Sequence, residues 1–175
     1  MAIPPTLETD RMILRPHVAQ DFDDCLRLWS DPHTVRFIGG QVQDAQAVWF
    51  RMLRYAGMWA MIGYGFWVFE EKVSGRYMGE GGLMDARRGI AGLAGMPEIG
   101  WALLPDAGGR GLATEAVRAI LNWADAVLHA QKTGCIIEPA NIASIAVADK
   151  CGYRTAAQID RGGTALILME RDNPL

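Results

Sequence analysis

The stretch from Pro97 to Pro139 constrains the fold of this chain more than any other part of the sequence. It contains the largely apolar segment EIGWALLP, the glycine-rich turn DAGGRG, the segment TEAVRAILNWADAVL and the apolar segment KTGCIIEP. The third segment repeats apolar residues at intervals of three and four, which is typical of an amphipathic helix, and the two flanking segments are short, apolar and closed by proline, which is typical of strands. A strand, a helix and a second strand in this order predict a βαβ unit with two parallel strands.

The segments on either side of this unit predict an α+β or layered α/β fold, in which helices flank a mixed sheet. Strands are predicted for DRMILRP, for both arms of the hairpin GYGFWVFEEKVSGRYMGEGGLM, and for the closing pair YRTAAQI and TALILMER. Helices are predicted for AQDFDDCLRLWSD, from Asp44 to about Met61, from about Thr114 onwards, and for NIASIAVADKCG. Because 175 residues suit one domain and no repeat or linker interrupts them, we expect residues 1–175 to form a single domain.

Charge and composition argue against several classes of protein. The net charge of -3 disfavours a nucleic-acid partner, which requires a basic face to neutralise phosphates. The sequence has neither a signal-peptide pattern nor an apolar run of about 20 residues, so we expect a cytoplasmic protein without a membrane partner. The three cysteines lack metal-ligand spacing and are expected to be buried thiols, and the scattered histidines predict no metal site.

The glycine-rich turn is a candidate anion site. A helix beginning here would leave its first backbone N–H groups unpaired and partly positive, and small residues would let the preceding backbone curl around an anion. The residues concerned are Gly108, Gly109, Gly111 and Ala113, with Arg110 adding a full charge. Both nucleotide-binding motifs fail in detail, because no Lys-Ser or Lys-Thr pair follows the glycines and Thr114 replaces the third glycine of a dinucleotide fingerprint. A turn that only lets the helix pack on the sheet remains the alternative.

A second motif lies about 30 residues downstream, in EPANIASIAVADKCGYR. Together, GGRGLATEA and this N-x-x-S-x-x-V-x-x-K-C-G-Y pattern resemble the two signature regions of the GNAT N-acetyltransferase family. The segments LETDRMILRP, YMGEGGLM and EIGWALLP are similar to its RimJ/RimL-like branch, which acetylates the N-terminal amines of ribosomal proteins. The resemblance implies a mixed, mostly antiparallel central sheet flanked by helices, with the βαβ unit binding acetyl-CoA.

The resemblance also implies which residues bind the cofactor. The family pattern [Q/R]-x-x-G-x-[G/A] places Gly111 and Ala113 at its last two positions, whereas Gly108 replaces the usual Gln or Arg. The pyrophosphate of coenzyme A would bind the turn and the start of the helix, through Gly108, Gly109, Arg110, Gly111, Leu112, Ala113 and Thr114. The backbone of Trp101, Ala102 and Leu103 would pair with the pantetheine amides, as an added strand does. Asn141 would reach the cofactor arm, or would simply cap the following helix.

Acetyl transfer from a thioester to an amine requires a neutral amine and a proton for the departing thiolate. The resemblance implies a tyrosine as the acid, but the matching position is Ala148, and Ser144 is the nearest replacement. A hydroxyl that bonds back within the helix is the alternative interpretation of Ser144. Glu98 is the leading carboxylate to accept the amine proton and Glu80 is its rival, and the alternative interpretation of either is a solvated or hydrogen-bonded strand residue. Tyr153 follows Gly152, where the family usually has Gly-Phe, and is expected to be a core residue.

These observations favour an acetyl-CoA-dependent N-acetyltransferase that uses no metal and transfers the acetyl group directly to a primary amine. The acceptor would be a protein N-terminal amine or a small amine, and the protein would be a monomer or a homodimer. A non-catalytic acyl-CoA-binding module is the competing hypothesis, because Ala148 and Gly108 depart from the family pattern.

Overall fold

The computed structural model describes residues 4–174. Eight strands are formed by short segments rich in apolar and β-branched residues, as expected for half-buried or buried strands. Their bounds are β1 Leu7–Glu8, β2 Met12–Arg15, β3 Phe66–Glu71, β4 Tyr77–Met84, β5 Glu98–Leu103, β6 Lys132–Ile137, β7 Arg154–Arg161 and β8 Thr164–Asp172.

Five helices connect these strands within the described range. Their bounds are α1 Phe22–Trp29, α2 Pro32–Val35, α3 Ala45–Ile62, α4 Leu112–Trp123 and α5 Ile142–Lys150. The Asp44 side chain caps α3 by accepting a hydrogen bond from the backbone N–H of Ala47, and Gly63 ends this helix in the left-handed conformation. The predicted helix between Asp44 and Met61 is therefore confirmed. No helix in residues 4–174 combines the length and apolar character needed to cross a bilayer.

All eight strands form one sheet in the order β1-β2-β3-β4-β5-β6-β8-β7. Among the strands of residues 4–174, only β5 and β6 run parallel, and they are joined through α4 as the βαβ pattern predicts. The predicted hairpin is β3–β4, and the predicted closing pair is β7–β8, which turns at Gly162 and Gly163. The predicted mixed, mostly antiparallel sheet flanked by helices is confirmed.

The helices cover both faces of the sheet. Glu80 of β4 lies opposite Ala102 of β5, and its side chain contacts Trp29 of α1 and Tyr55 of α3, so these helices share one face. Trp67 of β3 belongs to the other face, where its ring meets Trp123 of α4 at a centroid distance of 5.2 Å. This layering buries apolar side chains on both sides of the central strands.

Helix α4 begins at Leu112, two residues before the predicted start at Thr114. Gly111 adopts the left-handed conformation with φ 78° and changes the direction of the chain, so Leu112 becomes the first helical residue. The Leu112 side chain is buried. After Trp123 the helix continues as a π-helical segment, Ala124–Leu128. Asp125 in this segment is buried and forms a two-pronged ion pair with Arg171 of β8, which ties α4 to the C-terminal part of the sheet.

Candidate functional site

A cleft opens in the sheet where β5 and β6 separate. The two strands pair at Glu98 and Gly134, and the backbone N–H of Gly134 donates to the Pro97 carbonyl at 3.0 Å. Beyond this point β5 stays paired with β4, but no described residue pairs with the β6-facing edge of Trp101, Ala102 and Leu103. This free strand edge can hydrogen-bond an extended ligand that carries amide groups.

The free edge leads directly to the glycine-rich turn and the N-terminus of α4. Gly109 and Gly111 have φ values of 72° and 78°, a left-handed conformation that residues with a Cβ atom rarely adopt. Within residues 4–174, the backbone N–H groups from Gly109 to Thr114 donate to no protein acceptor. Unpaired amides at a helix N-terminus attract anions, so this turn remains the candidate anion site.

Gly108, the departure from the family pattern, follows a short 3-10 turn in extended conformation. Its backbone N–H donates to the Pro105 carbonyl at 3.1 Å. A Cβ atom at this position would lie 3.1 Å from the same carbonyl oxygen, closer than an ordinary contact. A larger residue at this position would therefore require the Pro105 carbonyl to shift by a few tenths of an ångström.

Two arginines lie beside the turn, and each is paired with a carboxylate. Arg110, predicted to add charge to the anion site, donates to Glu71 at 2.7 Å. Arg11, for which the sequence predicts no role, donates to the Arg110 carbonyl at 2.8 Å and to Glu115, in the first turn of α4, at 2.7 Å. Arg11 therefore holds the turn and neutralises a carboxylate next to the unpaired amides.

Helix α5 follows β6 on the other side of the cleft. The Asn141 side chain caps this helix by accepting a hydrogen bond from the backbone N–H of Ser144 at 3.2 Å, as the capping interpretation predicted. The Ser144 hydroxyl is half-buried and makes no hydrogen bond to any residue in the described range, so it does not bond back within the helix. Ala148 is completely buried, and its backbone carbonyl accepts from the N–H groups of Cys151 and Tyr153.

Tyr153 is a core residue, as predicted. Its ring is fully buried and its hydroxyl bonds to the Thr133 hydroxyl at 2.7 Å. Burial raises the pKa of the Tyr153 hydroxyl well above its ordinary value. The three cysteines are buried free thiols, as predicted, and burial raises the pKa of Cys135 to about 12. These groups are poorly suited to proton transfer near neutral pH.

Glu98 lies where β5 and β6 separate, on the same sheet face as Glu80. Its carboxylate is 6% exposed, pairs with Arg88 at 3.0 Å and lines a cavity formed by the loop between β4 and β5. Burial raises the pKa of Glu98, and the charges of Arg88 and Arg161 oppose this rise only in part. A carboxylate with a raised pKa beside a cavity can accept a proton from a bound ligand.

Glu80, the rival carboxylate, is completely buried and surrounded by donors. Trp29 Nε1 and the Tyr77 hydroxyl donate to it at 2.9 and 3.0 Å, and Tyr55 donates to the same carboxylate. Burial by itself would raise the pKa of Glu80, but the hydrogen bond and charge of His17, followed by Tyr55 and Arg51, lower it to about 2. Glu80 is thus an ionised, hydrogen-bonded core residue whose oxygens are occupied by these donors.

His17 and Cys25 complete the cage around Glu80. His17 Nε2 lies 3.1 Å from the carboxylate and Cys25 Sγ lies 3.6 Å from it, so the three groups could reach one metal ion. An ionised carboxylate only accepts hydrogen bonds, so His17 Nε2 carries its hydrogen and cannot coordinate a metal in that state. Burial, reinforced by the charge of Glu80, raises the pKa of the Cys25 thiol. The donor set therefore fits a hydrogen-bonded carboxylate better than a metal centre.

Comparison with known proteins identifies relatives over nearly the whole chain. A family model for the acetyltransferase (GNAT) domain matches residues 11–154. The chain is 29% identical over 171 residues to the uncharacterized protein YkkB of Bacillus subtilis (strain 168), with 94% of each chain covered. It is 31% identical to a solved structure from Bordetella pertussis described as a GnaT-family acetyltransferase, with a TM-score of 0.85 and coverage of 96% and 99% of the two chains.

A more distant solved structure shares the fold. Spermidine N-acetyltransferase from Vibrio cholerae, in complex with CoA and spermine, has a TM-score of 0.75 and 14% identity, with coverage of 93% of this chain and 95% of that one. At this identity the likeness concerns the fold alone.

Proposed function

Because the chain belongs to the GNAT acetyltransferase family, we propose that it transfers an acetyl group from acetyl-CoA directly to a primary amine. The observation that carries this proposal is the continuous path from the free edge of β5 to the unpaired amides at the start of α4. A strand edge suits the amides of a pantetheine arm, and a helix N-terminus suits a pyrophosphate. The same two features lie on one βαβ unit, β5–α4–β6.

The proposed binding roles follow from this geometry. The backbone of Gly109, Gly111 and Thr114 holds the pyrophosphate, with the neighbouring amides of Arg110, Leu112 and Ala113. The β6-facing edge of Trp101–Leu103 pairs with the pantetheine arm, which brings the thioester towards the Glu98 end of β5. Asn141 keeps its side-chain nitrogen available to the arm, because its Oδ1 is the atom that caps α5.

The proposed catalytic roles belong to Glu98 and Ser144. Glu98 accepts a proton from the acceptor ammonium, and the resulting neutral amine attacks the thioester carbonyl. Ser144 supplies a proton to the departing thiolate, since Ala148 offers no hydroxyl and Tyr153 bonds to Thr133. A well-placed proton relay contributes about 10²- to 10⁴-fold in rate, so these residues tune a reaction that positioning already favours.

The acceptor class proposed from the RimJ/RimL-like resemblance is a protein N-terminal amine or a small amine. Two features keep a non-catalytic acyl-CoA-binding module as an outcome of the test: the buried Ala148 at the expected acid position, and Gly108. Thiol release from acetyl-CoA, measured with a panel of peptides and amines, tests turnover, and calorimetry measures acetyl-CoA binding. Binding without turnover on every acceptor would favour the module.

Gly111→Asp tests the pyrophosphate site directly. The substitution strains the left-handed backbone and adds a negative charge beside the phosphates, so acetyl-CoA binding should be lost. Gly63 is a matched control because it has the same backbone angles, φ 78° and ψ 5°, at the far end of α3. Gly63→Asp should cost similar stability and leave acetyl-CoA affinity intact. Normal affinity in Gly111→Asp would contradict the proposed site.

A further inference from the structure

A cavity of about 490 Å³ lies at the N-terminal end of β5, away from the glycine-rich turn. Its walls are Glu98 and the loop of residues 85–96, which connects β4 to β5. The loop packs tightly on the sheet: a Cβ atom added to Gly134 of β6 would lie 2.7 Å from Leu93, and one added to Gly92 would lie 2.3 Å from Leu168 of β8. The cavity is therefore built by close contacts between the loop and strands β6 and β8.

Two ion pairs line this cavity. Arg88 Nη2 lies 3.0 Å from Glu98, and these side chains are 24% and 6% exposed. Arg87 pairs with Asp85 at 3.1 Å, but the Arg87 side chain is 85% exposed and the pair belongs to the rim. A desolvated pair is costly to break unless both partners gain new ones, whereas an exposed pair contributes little. A ligand that separates Arg88 from Glu98 must therefore provide a new partner for each of them.

We propose that this cavity binds the acceptor and that the acceptor is a small zwitterion of the α-amino-acid type, an inference that rests on the acetyltransferase function proposed above. The ammonium and carboxylate of an α-amino acid lie one carbon apart and can pair with Glu98 and Arg88 at the same time. A simple amine or polyamine would pair with Glu98 but would offer Arg88 no anion in exchange. A volume of about 490 Å³ suits a small molecule rather than a folded protein.

Binding of such an acceptor also prepares Glu98 for proton transfer. When the acceptor carboxylate attracts Arg88, Glu98 loses its nearest cation, and only the more distant Arg161 still favours its ionised form. The ammonium then gives one proton to Glu98, and the amine nitrogen forms a bond to the acetyl carbon while the carbon–sulfur bond breaks. Ser144 gives its proton to the thiolate and regains one from the second proton lost by nitrogen, so the products are an N-acetyl amino acid and coenzyme A.

Matched acceptors test this inference. For the purified protein, thiol release is measured with α-amino acids, with their amides, and with the corresponding amines that lack the carboxylate. We expect kcat/KM for the acids to exceed that for the amides by at least about tenfold, the size expected for one charge-assisted pair. Arg88→Ala should bring this ratio close to one, and Arg88→Lys should retain part of it. Arg27→Ala, which removes an exposed arginine that does not line the cavity, should leave the ratio unchanged.

The ratio separates specificity from structural damage, because a general loss of folding lowers activity on both acceptors alike. A wild-type preference for amides, polyamines or peptides, or an unchanged ratio in Arg88→Ala, would overturn the zwitterion inference while leaving the acetyltransferase proposal standing. Acetyl-CoA binding with no turnover on any acceptor would overturn both. Failure to bind acetyl-CoA would identify the coenzyme site itself as the error.

Discussion

Replacing Glu80 with glutamine tests whether the buried carboxylate is ionised and stabilises the fold. Its pKa of about 2, compared with an ordinary value of 4.5, corresponds at about 1.4 kcal/mol per pKa unit to roughly 3 kcal/mol of folding free energy. Because the folded-state pKa is the lower one, this contribution is complete above about pH 4.5 and is lost as the pH falls towards 2. Glu80→Gln should therefore reduce the free energy of unfolding by about 3 kcal/mol at neutral pH.

Urea unfolding of the wild type and the variant, followed by tryptophan fluorescence and circular dichroism between pH 7 and 3.5, measures this contribution. The difference between the two proteins should be constant down to about pH 5. It should be smaller by roughly 1.4 kcal/mol at pH 3.5, one unit below the ordinary pKa, where the unfolded wild-type chain gains its proton. Glu8→Gln is the control, because its carboxylate is 69% exposed and its loss should change little. A difference between wild type and Glu80→Gln that does not vary with pH would refute an ionised Glu80.

Three further predictions concern the proposed reaction. Arg11→Ala should weaken acetyl-CoA binding by about tenfold, because it leaves the negative charge of Glu115 uncompensated beside the unpaired amides, and adding Glu115→Ala should restore most of the affinity. Calorimetry on both variants measures these affinities, and an unchanged affinity in Arg11→Ala would contradict the prediction. Ser144→Ala should reduce kcat about 10²-fold with acetyl-CoA affinity intact, whereas equal turnover would remove Ser144 from the mechanism. As the pH falls, kcat/KM should decrease because Glu98 becomes protonated, and this acidic limb should lie above the ordinary carboxyl pKa because burial raises the pKa of Glu98. Glu98→Gln should remove the acidic limb from the pH profile of kcat/KM. A variant that keeps the limb would assign it to another group.

The sequence was most informative where the structure depends on neighbours along the chain. The βαβ unit, the left-handed glycines and the Asn141 cap are local features, and their residues lie within a few positions of one another. The start of α4 was two residues off because the pattern of apolar residues does not reveal that Gly111 already reverses the chain. The core position of Tyr153 followed from the resemblance, because the family usually has a phenylalanine after this glycine.

Features assembled from distant segments could not be predicted. The donors to Glu80 come from β4 and from three segments before it, and none of these segments has a pattern that points to a carboxylate. Arg11 and Glu115 are 104 positions apart, so DRMILRP indicated a strand and gave no sign of its contact with the turn. Likewise, the pair of Arg88 and Glu98 depends on how the loop between β4 and β5 folds over the sheet, which has no simple sequence signal.

The sparse pairing of β5 with β6 has a mechanical consequence. Strands β1–β5 form one plate and β6–β8 another, and the direct backbone connection between the plates is the contact near Glu98 and Gly134. Under a force that pulls the plates apart, this seam is the weakest line of the sheet, because few hydrogen bonds share the load. A coenzyme bound in the cleft would contact both plates and hold them together. The force needed to separate the plates in a single-molecule experiment should therefore rise when acetyl-CoA is present.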